Sequence, residues 1–345
     1  MAIKDAVSRA ISRLADRQHL AADESEEAFA QVMRGEASPI QMSALLMGLR
    51  AKGEQAAEVV GAVRALRGAM QRVAVPVGAP AVDTCGTGGG IVTTFNISTA
   101  AAFVAAGAGV RVAKHGNRSF TSQSGSADVL EALGLTMPQT ADQATRLLDH
   151  CGMTFLFAPL FHPAMRHVGP IRRELGVGTI MNMLGPLANP AGVRRQVVGV
   201  ADAGRAQLIA DALADLECEW ALVVHARVGM DEIAPSGPTD MWEVKPGEVR
   251  RWTLEPDVTG ADMHALAGGT PVENGAMVRD ILAAKDQGPR RTAVLLNAAA
   301  ALVVAGVTEN WDDAVAQATE SVESGAAAGV LEKMVAGSQG LTADG

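Results

Sequence analysis

Three polar stretches of this sequence carry residue types suited to chemistry on a phosphorylated substrate. The first is "VDTCGTGGGIVTTFNIST", Val82–Thr99, where four glycines run into Asn96, Ile97, Ser98 and Thr99. A strand reads as ending at Asp83 and a helix as beginning at Ser98. A glycine loop between the two lets backbone N–H groups crowd around an anion, and the helix N-terminus adds partial positive charge. No Gly-Lys-Ser/Thr follows, so this is not a Walker A loop, and no helix opens directly behind a G-x-G-x-x-G. A glycine cluster alone is as often a plain surface turn. The short polar side chains of Asn96, Ser98 and Thr99 suit both capping and phosphate oxygens, and shift the balance.

The second stretch is "VAKHGNRSFTSQSGSADVLEALG". Val110–Ala113 reads as a strand, so Lys114, His115, Asn117 and Arg118 leave its carboxyl end, where open α/β sheets place ligands. Two cations, a histidine and the hydroxyls of Ser119, Thr121, Ser122, Ser124 and Ser126 suit a sugar diphosphate, although a single polar loop is more often just solvated. The third is "HARVGMDEIAPSGPTD", after a strand ending at Val224, with the adjacent carboxylates Asp231 and Glu232. Mg²⁺ commonly joins one or two carboxylates to substrate phosphates. In "HPAMRHVGPIRRELG", Arg172 or Arg173 could clamp a carboxylate in bidentate fashion. There is no nucleophile elbow, no Cys/His pair and no histidine cluster. The inventory predicts transfer of a phosphorylated group by electrostatics and metal, with no catalytic nucleophile.

The elements that position these residues follow from pattern. The first seventy residues read as helices: Asp5–Ala15; a second starting at Asp23 with Glu26 and ending at Gly35; a third with Ser38 as N-cap, Pro39 and Gln41 in a capping box and its stop at Gly53; and a fourth from Glu54 to about Gln71. "VAVPVGAPAV" marks a hinge. Beyond it, short β-branched runs (Ala81–Asp83, Val110–Ala113, Met153–Phe157, Gln196–Val200, Ala221–Val224) alternate with helices such as Ser98–Ala108, Asp142–Cys151 and Arg205–Leu216, predicting an α/β domain with a mainly parallel sheet. "TDMWEVKPGEVRRWTLEP" reads as an antiparallel hairpin insertion carrying Trp242 and Trp252, and "RRTAVLLNAAAALVVAG" as a buried helix.

Composition sets the outer limits. The chain has 345 residues, 48% of them hydrophobic, enough for one large domain or two smaller ones. A net charge of −9 argues against nucleic acid as a partner. Cys85, Cys151 and Cys218 lie far apart and read as reduced cytosolic thiols. The first eighteen residues lack the apolar core of a signal peptide, and no run approaches the roughly 18 apolar residues of a membrane span. The expectation is a cytoplasmic protein with no membrane partner.

Taken together, the chain resembles the anthranilate phosphoribosyltransferases of tryptophan biosynthesis. The likeness runs almost end to end through "GEASPIQMSALLMGLRAKGE", "DTCGTGG", "TFNIST", "VAKHGNR", "GSADVLEALG", "HPAMRHVGPIRRELG", "NMLGPLANPA", "MDEI", "GPT" and "VLLNAAAAL". It implies a small N-terminal helical domain through which a homodimer forms, and a larger α/β domain with a mainly parallel central sheet and flanking helices. The boundaries expected are 1–73, with a hinge-proximal contribution from about 170–192, and 74–345. Carried over by position, the resemblance implies that phosphoribosyl pyrophosphate (PRPP) is held by Gly86, Gly89, Gly90, Thr94, Asn96, Ile97, Ser98, Thr99, Lys114, His115, Gly116, Asn117, Arg118, Ser119, Ser122 and Ser126. It places anthranilate at Gly86, His115, Asn117 and Arg172, and Mg²⁺ at Ser98, Asp231 and Glu232. The chain departs from the family where Gly90 and Ile91 replace an Asp-Gly pair, so one carboxylate beside the diphosphate is missing and metal use falls mainly on Asp231 and Glu232. Gln123 also stands where many members have a basic residue. Alternatives are a related phosphoribosyltransferase with another aromatic acceptor, a pyrimidine nucleoside phosphorylase, whose phosphate signature is absent, and a non-catalytic nucleic-acid-binding relative, which the retained acid pair and the charge disfavour.

Overall fold

The opening helices form where their caps dictate. The computed structural model describes residues 5–76, 78, 80–90, 92–119, 123–138, 140–256 and 263–340. Helix α1 (Ala6–Ala15) starts on Asp5, whose carboxylate accepts from Ser8 N–H at 2.8 Å. Helix α2 (Ala22–Met33) starts earlier than the expected Asp23. Ala21 sits at its N-cap without a side-chain acceptor, and Glu24 reaches back to the Ala21 N–H at 2.9 Å instead. Helix α3 (Pro39–Lys52) has the expected Ser38/Gln41 box, with reciprocal bonds of 2.9 and 3.2 Å. Helix α4 (Ala56–Gly68) is shorter than expected. It lies so close to α2 that a Cβ on Gly61 would fall 2.2 Å from the Ala22 carbonyl oxygen.

The rest of the chain alternates strands and helices: β1 (Ala81–Gly86), α5 (Ile97–Gly107), β2 (Arg111–Gly116), α6 (Ser126–Ala132), α7 (Ala141–Cys151) and β3 (Met153–Phe157). Three short helices follow, α8 (Ala158–Phe161), α9 (Gly169–Leu175) and α10 (Met181–Leu187), before β4 (Arg195–Gly199), α11 (Ala203–Asp215) and β5 (Trp220–Ala226). The hairpin β6 (Thr239–Lys245) and β7 (Glu248–Leu254) is followed by α12 (Pro271–Leu282), α13 (Pro289–Ala305), α14 (Trp311–Glu323) and α15 (Ala326–Gly340). The sheet order is β3-β2-β1-β4-β5-β6-β7. The first five strands run parallel, and β6 and β7 extend the sheet antiparallel at one edge. The hairpin read from the sequence is thus part of the main sheet rather than an insertion beside it.

Strand periodicity sorts the apolar residues into two layers. Val82, Val112, Val197, Leu222 and Met241 face one side and join the core under α5, α13, α14 and α15. Val198, Val223, Trp242 and Val244 face the other side, where α10, α11 and the four N-terminal helices share one continuous apolar cluster with the sheet. The connecting segment is pinned as well: Gln71 N–H donates to the Phe161 carbonyl at 2.8 Å and Val73 N–H to that of Pro190 at 3.0 Å. Among the described residues the three cysteines are free, and no helix is long and apolar enough to cross a membrane.

Candidate active site

The strand order reverses at β1, which pairs with β2 on one side and β4 on the other. Such a switch point opens a crevice at the carboxyl ends of the strands. Four strands deliver their ends there: Gly86 from β1, Lys114–Gly116 from β2, Gly199 from β4 and Ala226 from β5, the last leading into the Asp231–Glu232 loop. Both β1 and β2 run three residues further than expected. The Thr84–Gly86 and Lys114–Gly116 segments are therefore held in ladder geometry, not in loops.

The acid-bearing loop is laid across the ends of β1 and β4. Asp231 Oδ2 accepts from Gly88 N–H at 2.8 Å, and Glu232 Oε1 accepts from Ser98 N–H, in the first turn of α5, at 3.2 Å. A Cβ on Gly86 would stand 2.6 Å from Asp231 Oδ2, and one on Gly199 only 1.6 Å from the Asp231 carbonyl oxygen. Gly88 and Gly89 have φ of +66° and +80°, a turn that only glycine takes without strain. The N–H groups of Gly89 and Gly90 find no acceptor among the described residues, which leaves two donors for an anion. A Cβ on Gly90 would lie 2.9 Å from the Gly229 carbonyl oxygen, so an aspartate there cannot be accommodated unless the backbone moves. Packing against the turn before Asp231 thus accounts for glycine at this position.

Burial pushes both carboxyl pKa values up, and Glu232 reaches about 8 through desolvation and then the neighbouring charge of Asp231. Lys114, 2% exposed, is the compensating cation: its Nζ donates to the Thr84 carbonyl and, at 3.2 Å, to Ser98 Oγ. His115 is the next residue of the same strand, so its ring projects from the opposite face. Its Nδ1 lies 3.1 Å from the Gly185 carbonyl oxygen. A carbonyl only accepts, so Nδ1 carries the proton and Nε2 is left as a bare acceptor, buried and without a partner. The His162 ring stacks 5.0 Å away, and neither of its nitrogens has a well-formed hydrogen bond among the described residues. The buried carboxylate of Asp83 closes a ring of contacts around this side. It accepts from His115 N–H at 3.1 Å and from Asn189 Nδ2 at 2.7 Å, and Asn189 also donates to the Ala113 carbonyl at 2.8 Å.

The other expected residues are placed less uniformly. Asn96 occupies the N-cap of α5, but its side chain does not cap. It donates to the Ser124 carbonyl at 3.4 Å and accepts from Asn274 at 2.9 Å, so it ties loops together. Ile97 and Thr99 are fully buried. Thr94 bridges to Ala267. Arg118 is committed to Asp128 and Glu131, at 2.6 Å each. Ser126 Oγ donates to the Asn117 carbonyl at 3.2 Å, and Ser119 N–H to Asp128 at 3.4 Å. A Cβ on Gly116 would strike Ser126 Oγ at 2.3 Å. Arg172, on α9 against α3, is half-buried with its pKa lowered by burial, and its guanidinium makes no ion pair among the described residues. Ser122, Thr121 and Ile91 lie outside the described residues. Sequence reasoning missed Asn297 of α13, which clamps the acid loop by accepting from Ile233 N–H and donating to the Ile233 carbonyl, both at 3.0 Å. It also missed Asp83, Asn189, His162 and Gly199. An asparagine inside the alanine run of α13 was the signal available for Asn297.

A helical bundle on one face of a doubly wound sheet, with a glycine loop over an acid pair at the switch point, is the build of the two-domain glycosyl transferases. The family's helical bundle domain matches residues 8–70 and its a/b domain residues 78–328. Within that class, the chain belongs to the anthranilate phosphoribosyltransferase family. It is 48% identical to the anthranilate phosphoribosyltransferase of Rubrobacter xylanophilus over 97% of this chain and 98% of that one. The crystal structure of the Thermus thermophilus enzyme superposes with a TM-score of 0.90 at 41% identity, covering 97% of this chain and all of that one. The Saccharomyces cerevisiae enzyme, solved in complex with PRPP and Mg, gives 0.88 at 28% identity, covering 97% and 98%.

Burial keeps both histidines neutral, with pKa values lowered to about 3 for His115 and about 4 for His162, chiefly by desolvation. The unfolded chain protonates these rings near pH 6.5 while the folded chain does not. Stability therefore falls as pH drops from 6.5 towards 4, by at most about 1.4 kcal/mol per pH unit for each ring. His162→Asn should flatten that slope in urea melts between pH 7 and 5. An unchanged slope would show that burial of His162 contributes nothing to it.

Proposed function

We propose that this chain transfers the 5-phosphoribosyl group of PRPP to the amino group of anthranilate, releasing pyrophosphate, and that Asp231, Glu232 and Ser98 are the residues that would hold Mg²⁺. The observation that carries the reading is the division of β2: Lys114 projects to the acid pair and glycine loop, and His115 to the opposite face beside His162, where its Nε2 and both His162 nitrogens lack partners among the described residues. One side suits a diphosphate and the other a small aromatic acceptor.

The donors present fit Mg²⁺. Asp231, Glu232 and Ser98 offer hard oxygen ligands, and two adjacent half-buried carboxylates with raised pKa values are relieved by a divalent cation. Among the described residues no group of three or more His, Cys, Asp or Glu could hold a metal by itself, so substrate phosphates complete the set. When bound, the ion neutralises charge on the departing diphosphate. The chain's own groups do the rest. Free N–H donors of Gly89 and Gly90, the α5 N-terminus and Lys114 stabilise the same leaving group. Gly86, lacking a side chain, lets the Asp231 carboxylate lie against the end of β1. The other PRPP positions (Thr94, Asn96, Ile97, Ser98, Thr99, Gly116, Asn117, Arg118, Ser119, Ser126) contribute through loop shape and backbone. Buried Ile97 and Thr99 have no exposed side chain to offer, and Arg118 acts only if it leaves its carboxylates. Anthranilate is an aromatic amine, neutral near pH 7, so it attacks the anomeric carbon without a strong base. Neutral His115 accepts from the amine through Nε2, Asn117 lines the same strand end, and Arg172 holds the carboxylate.

The assay that tests the activity follows anthranilate fluorescence with PRPP and Mg²⁺. In it, Arg172→Ala should raise the anthranilate KM by about 10- to 100-fold, the loss of a charge-assisted contact, with the PRPP KM nearly unchanged. Equal effects on both would assign Arg172 a structural part. Replacing Asp231 and Glu232 together by Ala should cut kcat by about 100-fold or more while circular dichroism shows the fold intact. Full activity of that variant at ordinary Mg²⁺ would refute the metal assignment. We further propose a homodimer through the helical bundle, supported by Ile40 (82% exposed) and Met47 (37%), seven residues apart on α3. Sedimentation should give twice the chain mass, and Ile40→Glu with Met47→Glu should give a monomer. A wild-type monomer at micromolar concentration would contradict the proposal.

A further inference from the structure

Away from the strand ends, the chain gathers three of its four tryptophans around one groove. Only 3% of its residues are aromatic and none is tyrosine, so the concentration is not a by-product of composition. The groove lies where β5, β6 and β7 run out beyond the cover of α13 and α14. Trp220 comes from β5, Trp252 from β7 and Trp311 from the start of α14, and they bound a cavity of 420 Å³, within the roughly 300–1,000 Å³ usual for small-ligand pockets. Trp220 is 8% exposed and the other two are half-buried. They line a recess instead of standing proud as the anchors of a protein interface do.

The polar groups of the groove are unevenly satisfied. Trp220 Nε1 donates to Glu243 at 3.1 Å, but the Trp252 indole N–H is shielded from solvent and has no acceptor among the described residues. Buried donors without acceptors are rare, and this one marks the indole cluster as incompletely satisfied. Beyond the indoles the groove opens into a second recess of 270 Å³ among Glu243, Lys245, Glu248, Arg250 and Glu309. Arg250 and Lys245 share Glu243, at 2.8 and 3.4 Å, whereas Glu248 and Glu309 have no ion pair among the described residues. Two cations on one carboxylate leave positive charge beside two bare acids. Lys245, Arg250 and Glu309 border both recesses, so both signs meet where an aromatic slot ends.

We propose that this groove binds an aromatic amino acid in its zwitterionic form. The ring enters among Trp220, Trp252 and Trp311, the ammonium takes Glu309, and the carboxylate takes Lys245 and Arg250. The inference is independent of the roles assigned at the strand ends. Isothermal titration with L-tryptophan and L-phenylalanine as probes should show saturable binding to the full chain. Tryptamine, without the carboxylate, and indole-3-propionate, without the ammonium, should each bind about fivefold weaker or worse, the scale of one partly screened charge contact. Glu309→Gln, at an exposed position outside the reaction centre, should weaken L-tryptophan about fivefold and leave phosphoribosyl transfer unchanged. Trp311→Phe should weaken it too, with circular dichroism confirming the fold. No saturable binding of either amino acid up to about 10 mM, weaker than any specific site this size warrants, would overturn the proposal. So would binding that both variants leave unaltered, or binding that PRPP or anthranilate displaces competitively, since the amino acid would then occupy the reaction centre.

Discussion

Two strand ends without side chains are the constraint on which the site rests. The loop carrying Asp231 and Glu232 crosses β1 and β4 so closely that no Cβ fits at Gly199, and one at Gly86 would strike the Asp231 carboxylate. That crossing brings two carboxylates, the first turn of α5 and the buried Lys114 together. Desolvation then raises the carboxyl pKa values, and the same desolvation strengthens every interaction with a phosphate or a metal. The glycine loop above, the clamp by Asn297 beneath and the tight fit of Gly90 against Gly229 all follow from holding that loop down.

Much of this was legible in the residues. Amphipathic spacing located α1 and cap chemistry α3, short β-branched runs located the five parallel strands, and their alternation with helices predicted the sheet. The glycine loop, the "KHGNR" segment and the acid pair were visible as three polar stretches following strands, and the sheet topology brings all three to one edge. What local pattern did not show was where the ladders end. Pairing with β3 and β4 carries β1 and β2 three residues further than their β-branched runs suggest, because hydrogen bonds from neighbours outweigh local preference. The start of α2 was misplaced for a related reason: Glu24 supplies from inside the helix the acceptor that Ala21 lacks.

The residues that escaped sequence reading share one physical character. Asp83, Asn189 and Asn297 are buried polar side chains bonded to backbone groups far away in the chain, with separations of 32 residues for Asp83–His115 and 76 for Asn189–Ala113. Nothing in their flanking residues announces such partners, which exist only once the sheet has formed. Asn96 shows the converse. Its position and type fit a cap, yet it spends its side chain on Ser124 and Asn274, because the first N–H groups of α5 already face Glu232.

The alternation of Lys114 and His115 has a consequence for how such an enzyme can change. Consecutive residues of β2 serve opposite faces of the sheet, so under the proposed roles the backbone itself would insulate the two halves of the reaction from each other. On the proposed assignment, mutations around His115, His162 and Arg172 would remodel the acceptor side by drift, one substitution at a time, while the diphosphate side stays under separate constraint. An insertion or deletion of a single residue in β2 has no such freedom, since it would exchange the two faces at once. Acceptor preference is therefore the evolvable coordinate of this architecture, and strand length its frozen one.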